Sequence, residues 1–169
     1  MSKKIREIVI GALLISLCTV ATLLAIPSPF GYMNAGDTVV LVCAFISGPI
    51  GALYAGIGSA LADLINGYAV YVPATFLIKA AMSICAYYVT LLVGKLIPKP
   101  SFVKYSVAFV IAELIMAFGY LFYEAVLLSY GEAAIVSLPF NLLQGAFGCV
   151  GGGFILFFFK KSKLQKYLQ

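Results

Sequence analysis

Six long apolar runs, each closed by helix-breaking residues, are the strongest constraint on this chain. They cover roughly residues 5–26, 36–47, 50–66, 73–97, 103–129 and 136–159. Pro27, Pro29 and Gly31 end the first, Ser47-Gly48-Pro49 divides the second from the third, and Pro73 and Pro98 bracket the fourth. Proline and glycine punctuate helices in this way. Most of the runs approach the ~20 apolar residues that cross a bilayer as a helix. Composition excludes the soluble alternative. Of 169 residues, 63% are hydrophobic and 10% charged, against about 25% charged in soluble domains. A domain this small leaves much of its chain at the surface, so it cannot hide that much apolar area from water.

The expected fold is therefore an all-α integral membrane protein: one domain, residues 1–169, with six transmembrane helices. The run after Lys3, Lys4 and Arg6 is too long for a signal-peptide core and no A-x-A site follows it, so it reads as the first span. The second run is short, because twelve helical residues reach only ~18 Å of a ~30 Å hydrocarbon layer. Charge argues for counting it. Of the 11 Lys and Arg residues, Lys3, Lys4 and Arg6 precede the first run, Lys95, Lys99 and Lys104 flank the fourth gap, and Lys160, Lys161, Lys163 and Lys166 follow the last. With six spans and both termini cytoplasmic, all of these lie inside, as the positive-inside rule requires. With five spans the middle group would face the wrong way. Segment two is then short, tilted, or extended back into 27–35.

Charge in such a pattern marks topology and not a nucleic-acid surface. Four scattered cysteines, no CxxC and no histidine speak against a metal or redox site, and the cysteines read as small buried hydrophobes. There is no GxxxxGK[ST] loop to cradle ATP and no nucleophile–histidine pair for covalent catalysis. The chain is not expected to be an enzyme.

Ionisable groups inside a span are costly and mark function or pairing. Asp63 and Lys79 lie at similar depth on consecutive helices, either as a structural ion pair or with Lys79 turned to a ligand. Glu113, Tyr120 and Glu124 share one helical face by their offsets of 7 and 11. Asn141 and Gln144 are neighbours three residues apart. Asp63, Lys79, Glu124, Asn141 and Gln144 gather at one level in the outer half, where Phe30, Tyr32, Tyr68 and Tyr71 add aromatic faces from the loops. Those aromatics suit either the membrane belt or a flat ligand. Asp37 serves either as a helix cap or in the site. Small residues at helical spacing (Gly51, Ala55, Ser59; Ala52, Gly56, Ala60) allow close helix packing. Ala12 and Ser16 form a milder small face, for packing in the bundle or for a partner. The outer half is net acidic, which favours neutral or weakly basic ligands.

Asn34-Ala-Gly-Asp37, Gly48-Pro49, and Gly56-Ile-Gly-Ser-Ala-Leu-Ala-Asp63-Leu-Ile-Asn-Gly67-Tyr68 with Tyr71-Val-Pro73-Ala-Thr75-Phe-Leu-Ile-Lys79 resemble the substrate-binding (S) components of energy-coupling factor (ECF) vitamin transporters, in the riboflavin, hydroxymethylpyrimidine and pyridoxine branch. The resemblance implies a six-helix bundle that binds a vitamin near the outer surface, under a first loop acting as lid. It implies docking through Ala12 and Ser16 onto a transmembrane coupling subunit that carries two cytosolic ATPases, which use ATP and magnesium. The S component would topple in the plasma membrane of a prokaryotic cell to deliver its cargo. The substrate-binding set expected on this reading is Tyr32, Asn34, Asp37, Lys79, Tyr120, Glu124, Asn141 and Gln144. The acidic, aromatic outer half favours pyridoxine or hydroxymethylpyrimidine, with riboflavin next. The competing reading is a self-sufficient carrier driven by an ion gradient, with Glu113 and Glu124 as coupling sites.

Overall fold

Ser2 opens the first helix: its hydroxyl accepts the Ile5 N–H at 3.3 Å, meeting one of the amides that a helix start leaves unpaired. The computed structural model describes residues 2–28, 31–96 and 102–162. Among these, the six apolar runs become six α-helices: α1 (Lys3–Leu23), α2 (Gly36–Ser47), α3 (Gly51–Ile65), α4 (Val72–Leu96), α5 (Phe102–Phe122) and α6 (Leu138–Lys161). Pro29, Phe30, Pro98, Lys99, Lys163 and Lys166, used above, lie outside the described residues.

Five stretches among the described residues are long and apolar enough to cross a membrane: Lys4–Leu23, Gly36–Ile65, Ala69–Leu96, Phe102–Leu127 and Gly131–Phe159. The second of these is not one rod. Gly48 has φ +65° and Gly48–Ile50 forms a 3-10 turn. A Cβ placed on Gly51 would collide with the Cys43 carbonyl and come within 2.8 Å of the Ala44 Cα. In a straight helix residues eight apart are ~12 Å apart, so α3 folds back along α2. The rest of α3 runs beside α1 in the same direction, with Gly58 against Ile15 and Cys18 and the Gly58 carbonyl accepting from Thr19 Oγ1 at 2.9 Å.

The short helix α2 occupies the centre. Val40 to Ala44 are all at most 2% exposed, and α1, α3, α4 and α6 surround them. A central helix meets protein and not lipid, which lets it be shorter than the hydrocarbon layer. Large apolar side chains on the outer faces of the other helices, among them Leu13, Leu17, Leu92, Phe118 and Phe154, stay exposed as a lipid-facing surface requires. The small residues of α3 do pack: Gly51, Ala52, Ala55, Gly56, Ser59 and Ala60 are all buried. Cys18 and Cys43 are fully buried thiols whose sulfurs lie 3.5 Å apart in the core.

Two features depart from an all-helical expectation. Residues 25–28 and 31–34 form a two-stranded antiparallel ribbon (β1, Ala25–Ser28; β2, Gly31–Asn34), with Ala25 opposite Asn34 and Pro27 opposite Tyr32. Segment two therefore does not extend backwards; it starts at Gly36. The other departure follows α5, where Tyr123–Leu127 is a π-helical turn. The Leu128 N–H reaches back five residues to the Tyr123 carbonyl at 2.9 Å. Such turns insert a residue and re-aim the side chains there, and this one carries Glu124. A 3-10 helix, Gly131–Ser137, then leads into α6.

Candidate functional site

The end of the bundle where α1 finishes and α2 begins holds a polar cavity. Its walls come from the β-ribbon (Ser28, Tyr32, Asn34), the end of α3 and the turn after it (Asp63, Tyr68, Tyr71), Thr75 on α4, Tyr120 and Glu124, and Ser137, Asn141 and Gln144. The enclosed room is about 50 Å³, within a concavity of about 480 Å³ that includes its open mouth.

Local chemistry positions each wall. Helix α3 closes with Gly67 at φ +82°, a left-handed conformation that glycine adopts without strain. The Tyr68 N–H then bonds the Asp63 carbonyl at 2.8 Å and the Gly67 N–H bonds that of Leu64 at 3.3 Å. This is the Schellman closure. It sets Asp63 in the last helical turn and swings Tyr68 back over it. A 3-10 turn, with the Tyr71 N–H on the Tyr68 carbonyl at 2.9 Å, brings Tyr71 alongside. The Tyr123 hydroxyl pins this turn by donating to the Val70 carbonyl.

Asn34 precedes α2. Its Oδ1 accepts the Gly36 N–H at 2.9 Å, a local side-chain bond to the backbone two residues on that fixes the turn from the ribbon into α2. The alternative that Asp37 caps this helix is thereby corrected. Asp37 is fully buried and turns inward, where its Oδ1 forms an ion pair with Lys79 and its Oδ2 accepts from Gln144 Nε2. Gln144 Oε1 in turn accepts from the Asn34 N–H at 2.9 Å and from Asn34 Nδ2 at 3.3 Å. A continuous network thus ties the ribbon to the α2 start, to α6 and to α4.

The expected Asp63–Lys79 ion pair is corrected by the same geometry. Lys79 pairs with Asp37, because α2 is central and delivers a carboxylate directly onto α4. Asp63 instead accepts from the Tyr32 hydroxyl of the ribbon. Burial and the neighbouring Asp63 carboxylate push the Tyr32 phenol above its ordinary pKa.

Of the eight residues expected to bind substrate, Tyr32, Asn34, Tyr120, Glu124, Asn141 and Gln144 line the cavity. Asp37 and Lys79 do not; they form its buried support, with the Lys79 ammonium 5.5 Å from the centre of the Tyr120 ring. Glu113 is separated from Glu124 despite the shared helical face. It is buried deeper against Gly145 and Gly148, and neither carboxylate oxygen has a hydrogen-bond partner. Ala12 and Ser16 are exposed and pack no bundle core.

Sequence reasoning missed Ser137, whose hydroxyl donates to Glu124, gave Thr75 no role of its own, and assigned Asp63 to an ion pair; all three line the cavity. The Thr75 and Tyr120 hydroxyls are 2.8 Å apart. Ser137 carries no signal of its own, since only the π turn brings Glu124 to it. Asp63 could have been found from the glycine four residues on, which turns the chain back above it. The tyrosines form a connected wall, with ring centres 5.0 Å apart for Tyr32–Tyr68, 6.2 Å for Tyr68–Tyr71 and 6.4 Å for Tyr71–Tyr120. Chemically this is a recess of flat apolar faces and hydrogen-bonding edges, suited to holding a small ring.

The family model for the ECF-type riboflavin transporter S component matches residues 2–161. A protein of Pyrococcus woesei, described as an uncharacterized protein in the gap 3' region, is 31% identical over 149 residues, covering 85% of this chain and 94% of that protein.

Proposed function

This chain belongs to the family of ECF-type riboflavin transporter S components, and from that premise we propose that it captures a small ring-shaped vitamin or precursor at the outer face of the plasma membrane of a prokaryotic cell. The observation that carries the reading is the cavity under the β-ribbon, walled by tyrosines, amides and two carboxylates. Its enclosed room falls well below the ~300–1,000 Å³ of ordinary ligand pockets. The ribbon, tied down by Tyr32 and Asn34, is then the lid that lifts to admit cargo. The tight space and the acidic walls favour pyridoxine or hydroxymethylpyrimidine, with riboflavin next. Tyr32, Asn34, Tyr120, Glu124, Asn141 and Gln144 would contact the ligand, and Asp37 and Lys79 would hold the floor.

In this reading α2 and α3 each cross the bilayer, making six spans with both termini cytoplasmic. The reversal at Gly48–Ile50 and the positions of the basic residues support that count. The protein does no chemistry of its own. Ala12 and Ser16, small and exposed on α1, would dock onto the transmembrane coupling subunit, and two cytosolic ATPases would supply the energy with ATP and magnesium.

The test is direct. Small molecules retained through purification would be identified by mass spectrometry, and candidate B vitamins titrated by calorimetry. One vitamin bound tightly at one-to-one stoichiometry is expected. The unpartnered Glu113 favours one second reading, an ion-coupled carrier. Uptake by the lone protein in vesicles, abolished by Glu113→Gln, would replace the first reading with that one.

A further inference from the structure

Asp63 holds a carboxylate oxygen that the fold leaves idle. Its Oδ1 accepts from Tyr32, but Oδ2 is buried with no partner in hydrogen-bond geometry; the Thr75 hydroxyl beside the carboxylate is bonded with that of Tyr120, and Asp63 is 5% exposed in the wall of the cavity. A buried acceptor without a donor is costly, and such exceptions call for an explanation. The cation nearest in the bundle does not supply it, since Lys79 is committed to Asp37. The second carboxylate of the wall, Glu124, differs. Its oxygens already accept from Tyr71 and from Ser137. Among the described residues no Lys, Arg or His stands in the wall, so two carboxylates face the cavity with no cation there to balance them.

We propose that Asp63 is a ligand-binding residue and that the ligand carries an exocyclic amino group whose N–H donates to Asp63 Oδ2. This rests on the reading of the cavity as the vitamin site. Charge-assisted bonds to a carboxylate are shorter and stronger than neutral ones, and the faces of Tyr32, Tyr68, Tyr71 and Tyr120 favour a cationic amino group further. A phosphate ester or a carboxylate would meet Asp63 and Glu124 without a counter-charge, so the site discriminates against phosphorylated and acidic forms of the same ring.

The experiment titrates the full-length protein in detergent with ring-matched pairs: pyridoxamine against pyridoxine, an aminopyrimidine against its hydroxy counterpart, and the phosphate ester of each. The aminated member is expected to bind at least ~10-fold more tightly than its partner, as a charge-assisted bond would confer, and the esters not measurably. Asp63→Asn keeps an acceptor for Tyr32 but replaces the idle oxygen with a donor, and should bring each pair to within ~2-fold. Equal affinities within the pairs on the unmodified protein would overturn the inference while leaving the vitamin site standing. So would a preference that survives Asp63→Asn. The unmodified protein decides by itself if the variant does not fold. Failure of every ring compound to bind would overturn the vitamin-site reading, and this inference with it.

Discussion

Replacing Lys79 with methionine should be among the most damaging single changes in the molecule. Lys79 and Asp37 are 2% and 1% exposed at their side chains and are each other's ion-pair partners. Lys79→Met keeps the volume but leaves the Asp37 carboxylate buried with only Gln144 donating to it. Removing one partner of a buried pair costs about 3–5 kcal/mol, whereas replacing both is often nearly neutral. For a chain of this length ~1 kcal/mol moves the midpoint by about 2–4 °C, so Lys79→Met should lower it by roughly 6–20 °C. Asp37→Asn combined with Lys79→Met should recover most of that loss. Thermal unfolding in detergent, followed with a thiol-reactive dye, would measure it, because Cys18 and Cys43 are fully buried until the bundle opens. A parallel cycle with Asp63→Asn should show a smaller coupling to Lys79. If Lys79→Met alone cost no more than the double variant, or if Asp63 coupled more strongly than Asp37, the assignment of this pair as the floor of the site would be wrong.

Three further outcomes are expected. Glu124→Ala or Asn141→Ala should weaken vitamin binding by about 1–3 kcal/mol each, the cost of an unmade buried hydrogen bond; unchanged calorimetric affinity in a folded variant would remove these residues from the site. Gly148→Ala should lower the thermal midpoint, since its new methyl would meet Glu113 and come within 2.9 Å of the Asp37 Cβ; a neutral result would mean that α5 and α6 can part easily. Ala12→Leu together with Ser16→Leu, both on an exposed face, should leave stability and vitamin binding unchanged but abolish copurification with the ATPase module; retained assembly would move the docking surface elsewhere.

The family was legible in the linear order of residues, and so were the helices. Apolar runs of spanning length closed by Pro27, Gly48-Pro49 and Pro73 are local signals, and a bilayer leaves a backbone few options besides the helix. The small faces of α3 and the polar level at Asn141, Gln144 and Glu124 follow from helical periodicity alone. Other features needed the fold. The partner of Lys79 was not readable, because depth along consecutive helices ranks Asp63 ahead of Asp37. Only the packing of α2 at the centre of the bundle brings Asp37 to Lys79 and leaves Asp63 to the ribbon. The ribbon itself hid behind its prolines, since a two-stranded pairing of four residues a side depends on what it covers and not on strand propensity. Ser137 meets Glu124 only because a π turn shifts the helix register by one residue. Periodicity can place a side chain on a face; which side chain faces it across the bundle is a long-range fact that helix packing decides.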